Sequence, residues 1–133
     1  MKNFLLLAIL SVFVFSCDFN DLPVEKNQNQ EWDLSGYEKA SDKLVTVTDS
    51  TYNYVLQPDG AFTKTVGKYT LNGTYKSSTI DGIQHFDFMY TVDNSLLIHS
   101  CSPDVEQFYI NGQGQMVGTW DACDGIRFYF NKN

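Results

Sequence analysis

The stretch YNYVLQPDGAFTKTV, residues 52–66, decides the fold of this chain. Residues of alternating character flank the Pro-Asp-Gly tripeptide at 58–60, which suits a tight turn because proline presets φ and Asp-Gly tolerates positive φ. Tyr52, Tyr54 and Leu56 share one face, since side chains alternate along a strand. The stretch therefore predicts two antiparallel strands joined by a hairpin turn.

The next strand signal is YTLNGTY, residues 69–75, in which Tyr69, Leu71 and Tyr75 share a face. Gly73 interrupts this face. A glycine inside a strand often marks a bulge or a bend, so we expect the sheet to curl there.

Two further segments, 83–92 and 96–101, flank Asp93-Asn94 and predict a second hairpin. In one register the aromatic residues of the first segment share a face with Leu96 and Ile98. A slip by one residue mixes apolar and polar side chains on each face, so we expect the first register.

A third hairpin is predicted over residues 116–130. If Cys123-Asp124-Gly125 is a three-residue loop with a left-handed glycine, the apolar residues share a face, whereas a two-residue Asp-Gly loop scatters them. The residues aligned in this way are Met116, Trp120, Ala122, Ile126, Phe128 and Phe130.

Segments 32–37, 44–48 and 105–110 add three strand signals, which brings the total to eight or nine strands. Such a number suffices to close a barrel. The sequence therefore predicts an all-β domain over residues 32–133, a small antiparallel meander β-barrel.

The first residues of the chain have the pattern of a secretory signal. Lys2 precedes a run of about a dozen apolar residues, too short for a bilayer-spanning helix. The run ends in Val14-Phe15-Ser16-Cys17, which is similar to the lipobox of bacterial lipoproteins. We expect residues 1–16 to be a signal peptide and Cys17 to be lipidated; the alternative is a plain secretory signal with Cys17 an ordinary thiol.

Residues 17–31 are polar after the cysteine and lack periodicity, so we expect a flexible tether. The formal net charge of −7 disfavours nucleic acid as a partner, because its phosphates are repelled. The expected partner is instead the membrane, reached through the lipid. We expect the protein in the cell envelope, anchored to the outer membrane.

The two remaining cysteines, Cys101 and Cys123, are predicted to form a disulfide in an oxidising compartment. Neither lies in a CxxC pattern, which argues against a zinc or thioredoxin-like site.

Several motifs resemble one family. YVLQPDGAFTKT (54–65), LNGTY (71–75), DNSLLI (93–98) and GTW (118–120) resemble the lipocalin-like lipoprotein domains common in Bacteroidota, and the resemblance covers most of residues 32–131. It implies a barrel fold and an envelope location. It supplies no catalytic residues.

One arrangement of side chains could hold a metal. In the expected register of the 83–101 hairpin, Asp87 lies opposite His99, and His85 is on the same face, a set that suits a divalent cation. A solvated cross-strand pair on the outer face is the favoured alternative. We therefore expect no metal and no other cofactor.

A catalytic function is not expected, because the chain lacks a Gly-x-Ser-x-Gly elbow and its thiols are better used in a disulfide. The aromatic side chains could line a lumen that holds a small apolar or amphipathic ligand. The alternative is a solid core in an envelope interaction or inhibitor protein. The aromatic residues concerned are Tyr52, Tyr54, Phe62, Tyr69, Tyr75, Phe86, Phe88, Tyr90, Trp120 and Phe128.

Overall fold

The computed structural model describes residues 28–39, 42–94, 96–102 and 104–133. These residues form an almost entirely β structure with one turn of helix. The elements are β1 (Gln30–Lys39), β2 (Val45–Thr46), β3 (Tyr52–Leu56), β4 (Ala61–Val66), β5 (Tyr69–Ile80), β6 (Ile83–Tyr90), β7 (Val105–Ile110), β8 (Met116–Gly118), α1 (Asp121–Asp124) and β9 (Ile126–Lys132).

All strand pairings are antiparallel, and from β3 to β9 each strand pairs with the next one along the chain. β1 pairs with β3 on one side and with β9 on the other, which closes an eight-stranded barrel. The short β2 is an extra strand paired with β1. The predicted meander barrel of eight to nine strands is therefore confirmed.

The two ends of the barrel are built differently. The turn end carries the connections 57–60, 81–82 and 111–115, together with the start of β1 and the end of β9. The looped end carries the connections 67–68, 91–104 and 119–125 and the segment between β1 and β3.

The predicted hairpin over residues 52–66 is confirmed as β3 and β4, with Leu56 opposite Phe62. Gly60 closes its turn with a φ of 88°, a value that glycine adopts without strain. Alternation of side chains then places Tyr52, Tyr54 and Leu56 in the core, as predicted.

Gly73 lies where β5 changes neighbours. It is opposite Phe62 of β4 and opposite Tyr90 of β6, and the register is continuous on both sides. A bulge is therefore absent. A β-carbon at this position would overlap the Phe62 ring and the Met89 carbonyl, so close packing accounts for the glycine.

The predicted hairpin between 83–92 and 96–101 is wrong. β6 ends at Tyr90 and pairs with β7, while no strand forms over the described residues 96–101. Instead the chain turns at Asn94, whose carbonyl accepts bonds from the amides of Leu97 and Ile98. Burial of Ile98 in the core stabilises this path over the locally patterned hairpin.

The third hairpin is correct in part. Met116 and Phe130 both lie in the core, as the shared face predicts, and Gly125 is left-handed with a φ of 70°. The three-residue loop is wrong, because Met116 pairs with Phe130 and the connection between the two strands runs from 119 to 125. However, β8 ends at Gly118 and the chain enters α1, where Ala122 is exposed instead of sharing the apolar face. A β-carbon on Gly118 would overlap the Trp120 ring, so the packing of this tryptophan accounts for the glycine.

At the amino end of the domain, β1 begins at Gln30, two residues inside the segment predicted as a tether. Cys17 and the predicted signal peptide lie outside the described residues. Within the described part of the chain, no helix has the length and apolarity needed to cross a membrane.

Candidate functional site at the looped end

An ion pair is buried inside the barrel near the looped end. Lys64 of β4 and Glu106 of β7 are both 0% exposed, and Lys64 Nζ lies 2.6 Å from Glu106 Oε1. Both residues sit at inward positions of their strands, two residues from Phe62 and Phe108 respectively. The pair is thus part of the barrel interior.

Glu106 accepts four hydrogen bonds. Its Oε1 receives the Lys64 ammonium and the backbone N–H of His99, both at 2.6 Å. Its Oε2 receives the hydroxyl of Tyr54 at 2.7 Å and, in a short hydrogen bond, the hydroxyl of Tyr90. A buried carboxylate satisfied in this way avoids most of the cost of an unpaired charge.

Lys64 is satisfied by a second, separate part of the chain. Its ammonium donates to the carbonyl of Leu97 and lies over the rings of three tyrosines. The distances from Nζ to the ring centroids are 5.2 Å for Tyr52, 5.4 Å for Tyr54 and 5.7 Å for Tyr90, within the range of cation–π interactions. The ammonium is therefore bound by a carboxylate, a carbonyl and aromatic faces.

Burial shifts the ionisation of this cluster. Loss of solvation, followed by the nearby Glu106 charge, raises the pKa values of Tyr52, Tyr54 and Tyr90. Loss of solvation lowers the pKa of Lys64, against the opposing effect of Glu106. The tyrosines consequently stay neutral donors at physiological pH.

The segment 96–102 covers this cluster. Ile98 is only 5% exposed and packs into the core, between the carbonyl of Leu97 and the amide of His99 that bind Lys64 and Glu106. The His99 ring stacks on Trp120 at 5.9 Å and packs against Phe128 at 5.0 Å. The segment thus closes the mouth of the barrel with its own backbone and side chains.

A disulfide holds the same segment from outside. Cys101 is bonded to Cys123 of α1, with their α-carbons 5.5 Å apart, as the sequence predicts. Both cysteines are exposed. The disulfide therefore joins the connection 91–104 to the connection that follows β8.

Most of the predicted aromatic set surrounds this cluster and fills the barrel. The rings pack at centroid distances such as 4.8 Å for Phe62 and Phe88 and 5.2 Å for Tyr54 and Phe88. The buried members are Tyr52, Tyr54, Phe62, Phe86, Phe88, Tyr90 and Trp120. Tyr75 and Phe128 pack against them partly buried, but Tyr69 is 54% exposed and lies outside the core.

The charged half of the site was not predicted from the sequence. Lys64 and Glu106 were not identified as site residues, and Phe108 and Phe130 complete the aromatic core without having been included. The alternation of side chains along a strand contains the relevant signal: Lys64 points to the same side of its strand as Phe62, and Glu106 points to the same side as Phe108. Two opposite charges at inward positions of different strands indicate a buried pair.

The possible metal ligands do not come together. Asp87 lies opposite Lys76 and Gln107, and His85 lies opposite Tyr109 on the outer face of β6. His99 packs with Trp120 at the mouth of the barrel. The expectation that Asp87 faces His99 is therefore wrong, and the described residues contain no group of three or more His, Cys, Asp or Glu placed to hold a metal.

A small cleft lies beside the covering segment. It has a volume of about 240 Å³, and its polar lining includes Ser100, Gln107 and Thr119 next to Trp120. This volume is below the ~300 Å³ at which small-molecule pockets usually begin. The cleft suits a surface contact better than an enclosed ligand.

Comparison with known proteins adds no identity: no family model, no curated protein and no solved structure matches this chain significantly. The lipocalin-like resemblance stays a prediction.

Proposed function

We propose that this chain is a membrane-anchored lipoprotein whose barrel is a solid scaffold for binding another protein of the cell envelope. Cys17 is the proposed site of lipidation, and the outer membrane is the proposed location. The disulfide between Cys101 and Cys123 supports an oxidising compartment, since such bonds rarely persist in the cytosol.

One observation carries the choice of a solid scaffold: the barrel interior is occupied by the protein itself. Tyr54, Phe88, Phe108 and Phe130 are fully buried and in ring-to-ring contact, and the backbone of residues 97–99 is bonded to the buried ion pair. A small apolar ligand, the competing hypothesis, would have to displace these contacts. An eight-stranded barrel has room for its own side chains or for one small ligand.

The looped end also offers exposed apolar side chains to a partner. The exposed apolar side chains at the looped end include Leu44, Val45, Val92 and Leu96, the last of which is 86% exposed. The start of β1, through which the proposed anchor is attached, lies at the opposite end. The looped end is therefore the proposed contact surface for a partner beyond the membrane.

The scaffold hypothesis is tested by native mass spectrometry of the purified folded protein after incubation with a series of fatty acids and lysolipids. We expect the mass of the protein alone, because the interior is filled. A stoichiometric complex that disappears in a Phe88→Trp variant, in which the core is overfilled, would support the small-ligand hypothesis and overturn the solid scaffold.

The anchor is tested separately by labelling cells with an alkyne-tagged fatty acid. We expect the label on the wild-type protein and none on the Cys17→Ser variant. A Cys101→Ser/Cys123→Ser variant is the matched control and should keep the label. Absence of label from the wild-type protein would overturn the lipoprotein proposal.

A further inference from the structure

The hairpin formed by the end of β5 and the start of β6 extends past its neighbours at the turn end. β4 pairs with β5 only as far as Thr74, and β7 pairs with β6 only from His85 onward. Beyond those points β5 and β6 pair with each other, up to Ile80 opposite Ile83. We call residues 75–84 the projecting hairpin.

The tip of the projecting hairpin is a defined turn flanked by two exposed isoleucines. Asp81 and Gly82 have φ values of 52° and 79°, the combination required by a type I′ turn, which matches the twist of the strands. The turn places Ile80 and Ile83 side by side, and they are 55% and 45% exposed. Two adjacent β-branched side chains are thus presented to the surroundings.

The apolar surface continues from the tip into the barrel wall. An open groove of about 540 Å³ lies beside the hairpin, and Ile83, Tyr109 and Ile110 contribute its apolar lining. The charges of the projecting hairpin cancel, because Lys76 and Asp81 are the only charged residues in it. The hairpin therefore has no net charge over its length, and its exposed apolar side chains are concentrated at the tip and along the groove.

The projecting hairpin lies at the same end of the barrel as the start of β1. Gln30 pairs with Leu56 beside the 57–60 turn, so the chain enters the barrel at the turn end. We propose that the projecting hairpin rests on the lipid bilayer, with Ile80 and Ile83 in its interface. This inference depends on the proposed lipidation of Cys17, because the anchor brings the turn end to the membrane.

Two lengths support the bilayer as the occupant. The twelve residues between Cys17 and Gln30 limit the distance from the proposed anchor to the start of β1 to about 45 Å, the fully extended length. Past the last pair with β4, residues 75–80 of β5 extend by roughly 20 Å; past the last pair with β7, Ile83 and Gln84 of β6 extend by roughly 7 Å. The tip thus lies beyond the paired parts of both neighbouring strands, on the side of the barrel to which the proposed anchor is attached.

The residues of the projecting hairpin indicate which class of lipid it would contact. Membrane-surface binding to anionic lipid depends on clusters of Lys and Arg, which the projecting hairpin lacks. A tip with two exposed isoleucines and no Lys or Arg suits the interface of zwitterionic lipid, where apolar side chains enter the boundary between headgroups and acyl chains and the Asp81 carboxylate stays at the level of the headgroups.

The test uses the lipidated full chain reconstituted in phosphatidylcholine vesicles that contain brominated phosphatidylcholine, which quenches nearby tryptophan. Ile83→Trp places a probe at the hairpin tip, and Lys68→Trp places the matched probe in the 67–68 turn at the looped end. The signal of the buried Trp32 and Trp120 is subtracted by means of the wild-type protein.

We expect quenching of the Ile83→Trp variant to be at least about twice that of Lys68→Trp, since interfacial side chains lie ~5–10 Å into the headgroup boundary. Adding Ile80→Ser to the Ile83→Trp variant should reduce this quenching. Equal quenching of the two probes, or none at Ile83→Trp in protein that floats with the vesicles, would overturn the inference.

The same samples separate the inference from the proposed function. If the wild-type chain carries no lipid and does not float with vesicles, the lipoprotein proposal fails. If it floats and the tip stays unquenched, only the bilayer contact fails. If the Ile83→Trp emission shifts to the blue without vesicles and sedimentation shows a dimer, a second copy covers the tip and the inference is wrong.

Discussion

The two ends of this barrel are closed by different kinds of contact. At the turn end, two connections contain hydrogen bonds between neighbouring residues: Gly60 donates to the carbonyl of Gln57, and the Asn111 side chain accepts from the amides of Gln113 and Gln115. Tyr75 of β5 adds bonds to the carbonyls of Gln57 and Gly60. At the looped end, Lys64 binds a carbonyl 33 residues away, and a disulfide spans 22 residues. The connections of the turn end thus have local hydrogen bonds of their own, whereas the path of the long connections at the looped end depends on an ion pair and a disulfide between distant residues.

The two ends have different proposed roles: the turn end positions the barrel at the membrane, and the looped end contacts a partner. The turn end receives the chain from the proposed anchor and can be short and stiff. The looped end has long connections that a partner could contact, and the buried ion pair and the disulfide fix their path. We therefore expect mutations at the looped end to lower stability much more than matched mutations at the turn end.

The largest effect is expected for Glu106→Ala. The variant leaves the Lys64 ammonium buried without its carboxylate and removes the acceptor of Tyr54, Tyr90 and the His99 amide. Removing one partner of a buried ion pair typically costs about 3–5 kcal/mol of unfolding free energy. Urea denaturation measures the change.

The control for this variant is Glu31→Ala on β1, near the turn end. Glu31 is exposed and accepts one long hydrogen bond from Asn53 at 3.3 Å. We expect a change within about 0.5 kcal/mol, as for most surface substitutions. Equal changes in the two variants would contradict the contrast between the ends.

Alkaline pH should destabilise the fold through the looped end. The pKa values of Tyr52, Tyr54 and Tyr90 are raised, first by burial and then by Glu106, so these tyrosines stay protonated when the unfolded chain ionises near pH 10. Below that pH the unfolding free energy keeps its full value. Above it, the unfolding free energy falls by about 1.4 kcal/mol per pH unit for each tyrosine, or about 4 kcal/mol per pH unit for all three.

The lowered pKa of Lys64 opposes this loss only up to its ordinary value of 10.5. The measurement follows tyrosinate absorbance and far-ultraviolet circular dichroism along one pH titration. We expect part of the tyrosinate absorbance to develop only with unfolding. Ionisation of all eight tyrosines while the fold persists would refute the assignment.

Removal of the disulfide should have the next largest effect. Cys101→Ser/Cys123→Ser releases a cross-link over 22 residues, which the chain-entropy model values at about 3 kcal/mol of unfolding free energy. Thermal denaturation measures the loss. Hydrogen exchange should become faster in residues 96–102 than in the wild-type protein, with a smaller change in the 57–60 turn. An unchanged melting temperature would show that the disulfide does not hold the looped end.

The smallest difference in unfolding free energy is expected between alanine variants of two glycines, one at each end. Gly118→Ala brings a β-carbon into the Trp120 ring at the looped end, whereas Gly112 at the turn end has no atom within 4 Å of that position. Overpacking typically costs about 1–3 kcal/mol, so Gly118→Ala should lower the unfolding free energy by that amount. Gly112→Ala should leave it nearly unchanged, and a loss of the same size there would contradict the comparison.

The same contrast explains what the sequence could predict. The 57–60 turn was predicted because Pro-Asp-Gly encodes it locally, and β7 was predicted with its observed bounds. The Asp81-Gly82 turn has an equally local signal, because Asp-Gly favours the two-residue turn with positive φ at both residues that forms there. The turns at this end can therefore be predicted from short stretches of sequence.

The looped end could not be predicted in the same way. Residues 93–98 have a hairpin pattern. However, the burial of Ile98 and the hydrogen bond from Lys64 to the Leu97 carbonyl stabilise a path across the mouth of the barrel. These contacts join strands that are distant in the sequence, so no local pattern encodes them. The buried pair of Lys64 and Glu106 was visible only as two inward charges whose meeting depends on barrel closure.

Hydrogen exchange at the His99 amide tests the central claim most directly, because this N–H donates to Glu106 across the barrel mouth. If the covering segment is fixed, the His99 amide is protected to nearly the same extent as the core amide of Phe108 and loses protection in Glu106→Ala. Exchange in the wild-type protein as fast as at the exposed residue Leu96 would contradict the account, because the mouth would then open readily and the interior would be accessible to a ligand.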